Sequence, residues 1–216
     1  MTETHSPTLW SRVFAMAYDR VLAVSEEGGL SERRAALLAQ ANGRVLELGA
    51  GTGLNLPHYA STVEALVLTE PDPHMLKRLR HKVAAGPQTA FIEVSAADAG
   101  DLPFPDASFD TVVSTLVLCT VPDPERTLRE AHRVLKPGGQ LLFMEHVLGK
   151  GAVARRQRLI AGPWAAFACG CRCDRATHDT IAASELQISH LEHGRMPKAT
   201  KFLSPFIEGR ATRREA

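Results

Sequence analysis

The nine residues Val45-Leu46-Glu47-Leu48-Gly49-Ala50-Gly51-Thr52-Gly53 constrain this chain more than any other stretch. An apolar run that breaks into glycines at alternate positions reads as a buried strand turning sharply into a loop. Glycine has no Cβ, so such a loop can adopt backbone angles closed to other residues and let a ligand lie against bare main chain. The pattern is not the dinucleotide fingerprint G-x-G-x-x-G, because Leu54 stands where its third glycine belongs. A pyrophosphate seeks the positive end of a helix, and a carboxylate at Glu47 would repel it. The acid-flanked loop therefore favours a ligand with an amino group or a sulfonium over one with phosphates. A plain strand-to-helix turn is the alternative.

Downstream, strand-like and helix-like stretches alternate. Strands are expected at Arg44–Leu48, Ala65–Thr69, Ala90–Val94, Asp110–Leu118 and Gln140–His146. Helices are expected at Leu56–Ala60, Pro73–Ala85 and Pro124–Leu135, and Pro137-Gly138-Gly139 reads as a hard turn. Such alternation gives a parallel sheet covered by helices on both faces. Before it, Leu9, Val13, Ala17 and Val21 recur at helical spacing, and Ser31 reads as the N-cap of a second helix that Gly43 stops. After it, residues 151–167 look helical, and Leu186–Glu192 and Lys201–Glu208 read as a closing hairpin at one edge.

Ligands of parallel sheets bind beyond the carboxyl ends of the strands, where strand order reverses. Glu70 ends the second strand about 20 residues after the glycine loop, where an acid can accept hydrogen bonds from both hydroxyls of a ribose. Pro71-Asp72-Pro73 then caps the next helix. Asp98 follows the third strand. It can accept from the amino group of an adenine while the Ala99 N–H bonds a ring nitrogen, or it can form an ordinary Asx turn.

At 216 residues the chain is expected to be one domain with a sizeable core. A net charge of +1 argues against a nucleic-acid partner. No apolar run reaches membrane-spanning length, and the polar start, Met1 to Thr8, lacks the basic region of a signal peptide, so the expected compartment is cytoplasmic. Cys169, Cys171 and Cys173 alternate, a weak metal pattern without partner histidines. Reduced thiols and no metal are expected.

The order VLELGAGTG, LTEPDPHML, AADAGDLPFPDASFDTVV, LREAHRVLKPGGQLLFMEH resembles a class I methyltransferase that uses S-adenosylmethionine, over roughly residues 40–150. The resemblance implies a Rossmann-like, doubly wound seven-stranded α/β sheet, mostly parallel with an antiparallel last strand, preceded by N-terminal helices. It implies that Glu47, Gly49, Ala50, Gly51 and Gly53 bracket the methionine part of the cofactor. It further implies that Glu70 holds the ribose, Asp98 and Ala99 the adenine, and that Pro71, Asp72 and Met75 flank the ring. Thr115 and Leu116 would line the wall near the methyl group.

A narrower resemblance, carried by TLVLCTVPDPERTLREAHRVLKPGGQLLFMEHV and CGCRCDRATHDTIAASELQI, is to the alkyl-thiol methyltransferase-like group, and it includes Cys119, Glu145, His146, Cys171, Arg175 and Thr177. Its animal members carry an N-terminal hydrophobic anchor that these residues lack.

The acceptor expected is a small molecule, best a thiol or sulfide. Alternatives are N- or O-methylation of a small heterocycle, a quinone precursor or a phospholipid head group, or a cofactor-binding protein without catalysis. Methyl transfer is an in-line displacement in which alignment and exclusion of water do most of the work. His146, at a strand tip, is the candidate base or a hydrogen-bonded support, and Asp98 is a second candidate for influencing acceptor deprotonation. Cys119 is expected to pack. Residues 1–42 are expected to form a helical lid on a cofactor-binding domain of residues 43–216, with a substrate wall at about 150–184. Arg155, Arg156 and Arg158 read as a solvated face, compatible with peripheral contact with an anionic membrane. The state expected is monomer or homodimer.

Overall fold

The computed structural model describes residues 8–86 and 91–215. Seven strands form one sheet: β1 (Gly43–Leu48), β2 (Val63–Thr69), β3 (Phe91–Ser95), β4 (Phe109–Thr115), β5 (Leu135–His146), β6 (Gln187–Arg195) and β7 (Pro205–Thr212). Their spatial order is β3-β2-β1-β4-β5-β7-β6. The pairs β1–β2, β2–β3, β1–β4 and β4–β5 are parallel, whereas β7 runs antiparallel to both β5 and β6. The reversed strand anticipated from sequence is thus present. Strand order switches direction between β1 and β4, which places a crevice above their carboxyl ends.

Side chains alternate across the sheet, so each strand feeds two cores. Leu46, Leu48, Phe109, Leu141 and Phe143 lie in one buried cluster, and Val45, Leu66, Leu68, Leu142 and Met144 lie in the other. Helices cover these faces: α1 (Leu9–Ser25), α2 (Ser31–Leu38), α3 (Pro73–Ala85), α4 (Pro124–Val134), α5 (Gly151–Phe167) and α6 (Thr177–Ala182). Local chemistry sets their starts. Asp123 caps α4 by accepting from the Arg126 N–H at 2.9 Å, with Pro124 in the first turn. Among the described residues no helix is long and apolar enough to cross a membrane.

Several sequence expectations shift. Ser31 is not an N-cap: α1 runs through a π-helical turn at Glu26–Leu30, kinked at Gly29 (φ +116°), straight into α2. The Ser31 hydroxyl lies 3.4 Å from His58 Nε2 instead. Leu56–Ala60 is a single 3-10 turn at Leu56–His58. The Pro137-Gly138-Gly139 turn is an irregularity inside β5, which begins at Leu135. The fourth strand ends at Thr115, because the chain turns at Leu116 (φ +61°). The last strand is Pro205–Thr212, later than Lys201–Glu208. The expected start of the third strand, Ala90, and the residues before Thr8 lie outside the described residues.

Candidate active site

The loop after β1 is built from left-handed backbone that favours glycine. Gly49 and Gly51 sit at φ +52° and +58°. A Cβ on Gly49 would stand 3.0 Å from Val117, whereas above Gly51 the nearest atom is Tyr18 Cε1 at 3.9 Å. A Cβ at Gly51 would therefore meet only the edge of an aromatic ring, at ordinary van der Waals contact. The Gly51 N–H donates to Glu70 Oε2 at 2.8 Å, and the Asp72 N–H donates to Glu70 Oε1 at 2.8 Å. A carboxylate has about four lone-pair sites, so one remains on each oxygen. Burial pushes the Glu70 pKa up to about 7, against the pull of those two N–H groups.

Glu47 looks inward. Asn55 Nδ2 donates to its Oε1 at 3.0 Å and Tyr59 OH to its Oε2 at 2.7 Å. Asn55 Nδ2 also donates to Thr115 Oγ1 at 2.9 Å, and Arg34 Nη1 donates to Asn55 Oδ1 at 2.8 Å. Arg34 in turn pairs with Glu26 at 2.9 Å. Burial pushes Glu47 up to about 7, eased by the bonds from Tyr59 and Asn55. This buried network ties the tips of β1 and β4 to the turn between α1 and α2. Asn55, Tyr59, Arg34 and Glu26 were not singled out from sequence, although the polar Asn55 directly beyond the glycine loop was a signal.

The remaining expected positions divide. Asp72 Oδ1 accepts from the His74 and Met75 N–H groups at 2.9 Å each, so its capping role is realised. Met75 and Ala99 are buried. Asp98 is exposed, and its Oδ1 accepts from the Gly100 N–H at 2.7 Å, the Asx-turn geometry. Among the described residues it bonds to none of the other candidate groups. Leu116 holds a left-handed backbone angle, fixed by donation of its N–H to Met144 O at 2.8 Å. Such strain in a leucine costs of order 1–3 kcal/mol and collects at functional sites.

Beside this crevice lies a buried sulfur cluster. His146, at the end of β5, directs Nε2 at Met196 Sδ (3.1 Å) and Nδ1 at Cys171 Sγ (4.0 Å). Cys171 Sγ lies 3.9 Å from Cys119 Sγ. The thiol hydrogen bond with Cys119, and the hydrogen bond and charge of His146, pull Cys171 below the ordinary thiol range, while the same pairing and burial push Cys119 up. Beneath Cys119, the fully buried Glu145 accepts from Ser114 Oγ (2.7 Å), the Val117 and Leu118 N–H groups (3.0 Å each) and the Cys119 N–H (3.3 Å). Burial raises its pKa to about 6. Sequence reading placed Cys119 as packing and did not join it to Cys171.

The N-terminal helix closes over the glycine loop. Tyr18 covers Gly51, Asp19 accepts from the Thr52 hydroxyl, and Lys82 on α3 lies 3.9 Å from Asp19. Trp10 Nε1 donates to Phe167 O at 2.9 Å, joining α1 to α5.

The chain matches the Methyltransferase domain family model over residues 46–143. It is 36% identical over 183 residues to Thiol S-methyltransferase TMT1B of Homo sapiens, an alignment that spans 82% of this chain and 74% of that protein. It is 39% identical over 130 residues to Phosphatidylethanolamine N-methyltransferase of Cereibacter sphaeroides, spanning 60% of this chain and 64% of that protein. Its fold superimposes on an S-adenosylmethionine dependent methyltransferase from Mesorhizobium loti with a TM-score of 0.60 at 24% identity, over 84% of this chain and 96% of that one.

Proposed function

Because this chain belongs to the class I S-adenosylmethionine-dependent methyltransferases, we propose that it carries the methyl group of S-adenosylmethionine to a small thiol or to sulfide. The observation that carries this reading is the length of the match to a thiol S-methyltransferase, which extends over 82% of the chain. The sulfur cluster at His146 is what a polarizable acceptor would meet.

The residues fit the cofactor. Glycine at 49 and 51 keeps side chains off the loop, which suits close approach, and the spare lone pairs of Glu70 match two ribose hydroxyls. When bound, the cofactor supplies a methyl group already activated on a sulfonium. Gly49, Ala50 and Gly51 would lie along its methionine part, with Glu47 fixing the loop from beneath. Pro71, Asp72 and Met75 would flank the adenine, and the Ala99 N–H with Asp98 would read its edge. Thr115 and Leu116 would wall the methyl.

A thiol with a pKa of about 8.5 already yields thiolate near neutrality, so little base is needed. His146 Nδ1 would take the acceptor's proton. Tyr18 and the rest of residues 1–42 would shut out water as a lid, and residues at about 150–184 would wall the acceptor.

A second reading, methylation of an amine on a phospholipid head group, is favoured by the 39% identity to the phosphatidylethanolamine enzyme. Turnover with S-adenosylmethionine against sulfide, alkyl thiols, phenols, quinols and phosphatidylethanolamine vesicles separates the two. Methylated sulfide or thiol supports the proposal, and methylation of only an amine or phenol overturns it.

A further inference from the structure

We propose that Cys119, His146 and Cys171 bind one thiophilic divalent cation of the zinc type, leaving a coordination position for the acceptor's sulfur. The second half rests on the thiol reading above, whereas the first does not.

The three donor atoms all lie within 4.8 Å of one another and the three residues are buried. A tetrahedral zinc with Zn–S of about 2.3 Å and Zn–N of about 2.0 Å sets two sulfurs ~3.8 Å apart and sulfur and nitrogen ~3.5 Å apart. The distances here are 3.9 Å between the sulfurs and 4.0 Å from Cys171 Sγ to His146 Nδ1, with all three donors within 4.8 Å, so the ion would draw the donors inward by up to about 1.3 Å. Two thiolates would cancel the charge of the ion, as burial requires. Three protein ligands and one open position is the arrangement of catalytic rather than structural zinc.

The surroundings point the donors inward. With the Met196 thioether 3.1 Å from Nε2, a weak acceptor, the ring proton belongs on Nε2 and the Nδ1 lone pair is left for the cluster. The Arg172 N–H donates to Cys119 O at 2.7 Å, pinning the two cysteine-bearing loops together. Thr177 Oγ1 donates to His146 O at 3.2 Å. Glu145 holds the Cys119 turn from below, and Arg175 Nη1 donates to Leu118 O at 2.6 Å. The indole N–H of Trp164 is buried with no hydrogen-bond partner among the described residues. Val117, 3.0 Å from where a Cβ on Gly49 would stand, donates its N–H to Glu145, the acid beneath Cys119, so cluster and glycine loop are neighbours. Cys169 and Cys173 do not join; the alternating cysteine motif is not the site.

The chemistry balances. Binding forms two S–Zn bonds and one N–Zn bond and releases the remaining thiol protons to solvent. An acceptor R–SH entering the open position becomes R–S–Zn and gives its proton to solvent, the ion lowering the thiol's pKa in place of the His146 base, whose Nδ1 is then coordinated. Attack on the methyl group forms S–CH3, the old C–S bond keeps its electron pair on the departing sulfur, and the neutral thioether leaves the ion.

The test uses the full chain, reduced and stripped with a chelator, then titrated with Zn2+ against a chromophoric competitor and with Co2+ as a spectroscopic probe. The expected result is one ion per chain with thiolate-to-cobalt charge transfer. Cys171→Ser and His146→Asn should each weaken Zn2+ by more than the ~10–100-fold that loss of an outer partner costs, while Cys169→Ser changes nothing. Thermal unfolding confirms that each variant is folded. No binding, or equal loss in Cys169→Ser, or only a Cys119–Cys171 disulfide by mass, overturns the site. Adding an alkyl thiol should shift the cobalt bands; an unchanged spectrum with thiol methylation intact in the stripped enzyme overturns the acceptor role. Methylation of amines alone, with zinc still bound, would sink the thiol reading and leave the metal site standing.

Discussion

The Gly51 N–H donates to Glu70 Oε2 across 2.8 Å, so the glycine loop after β1 and the acid that ends β2 form one unit. An acid in this place both shapes the loop and retains acceptors for a ligand. Loop shape and ligand contact are therefore coupled, and the first two predictions test that coupling.

Replacing Glu70 by alanine removes acceptors for two ribose hydroxyls and orphans the Gly51 and Asp72 N–H groups. Affinity for S-adenosylhomocysteine should fall by about 1–3 kcal/mol, the worth of charged hydrogen bonds. Calorimetric titration gives the answer directly, and an unchanged Kd would remove Glu70 from the sugar site.

The pH response has a definite sign. Burial lifts Glu47 and Glu70 from 4.5 to about 7 in the folded chain. Both groups therefore favour the ligand-free fold fully below about pH 4.5, and that contribution is lost as pH rises to about 7. Ribose hydroxyls prefer the ionised Glu70, so cofactor-product affinity should climb between about pH 6 and pH 8. Glu70→Gln should flatten that climb in titrations across the range; a climb that persists would place its origin elsewhere.

Gly51→Val puts a branched side chain where the cofactor is proposed to lie, at φ +58°. Binding should be abolished, and stability should drop by about 1–2 kcal/mol from left-handed strain. Gly51→Ala carries less bulk into the same space. If both variants bind normally by calorimetry, the loop is not the cradle.

Glu145 accepts four hydrogen bonds within the β4–β5 tip. In Glu145→Gln an amide N–H must face backbone N–H donors, so the loss should be on the order of 1.5–3 kcal/mol. For a chain of this size that lowers Tm by several degrees. Differential scanning calorimetry reads it, and an unaltered Tm would mean that the buried carboxylate does not hold the turn.

The local features were legible in the sequence. Glycine spacing, the Asp72 cap and the apolar strands act over a few residues, and Pro73–Ala85 was found at both ends. Features made by convergence were not. Cys119 and Cys171 meet because the chain returns over the β4 and β5 tips, and nothing in C-x-C-x-C announces that partner. Asn55 and Tyr59 bond Glu47 from the two ends of the Leu56–His58 turn, and Arg34 of α2 bonds Asn55. The last strand was placed too early, and it runs on through Gly209 to Thr212. In the sheet Gly209 is required, since a Cβ there would fall 2.3 Å from His190 O of β6.

The most direct measurement is a crystal structure of the chain grown with S-adenosylhomocysteine. The account predicts the sugar hydroxyls on Glu70, the amino-acid tail along Gly49–Gly51, and the thioether sulfur turned toward His146. A crevice closed by Tyr18 against any ligand, or the compound bound away from Glu70, would contradict it.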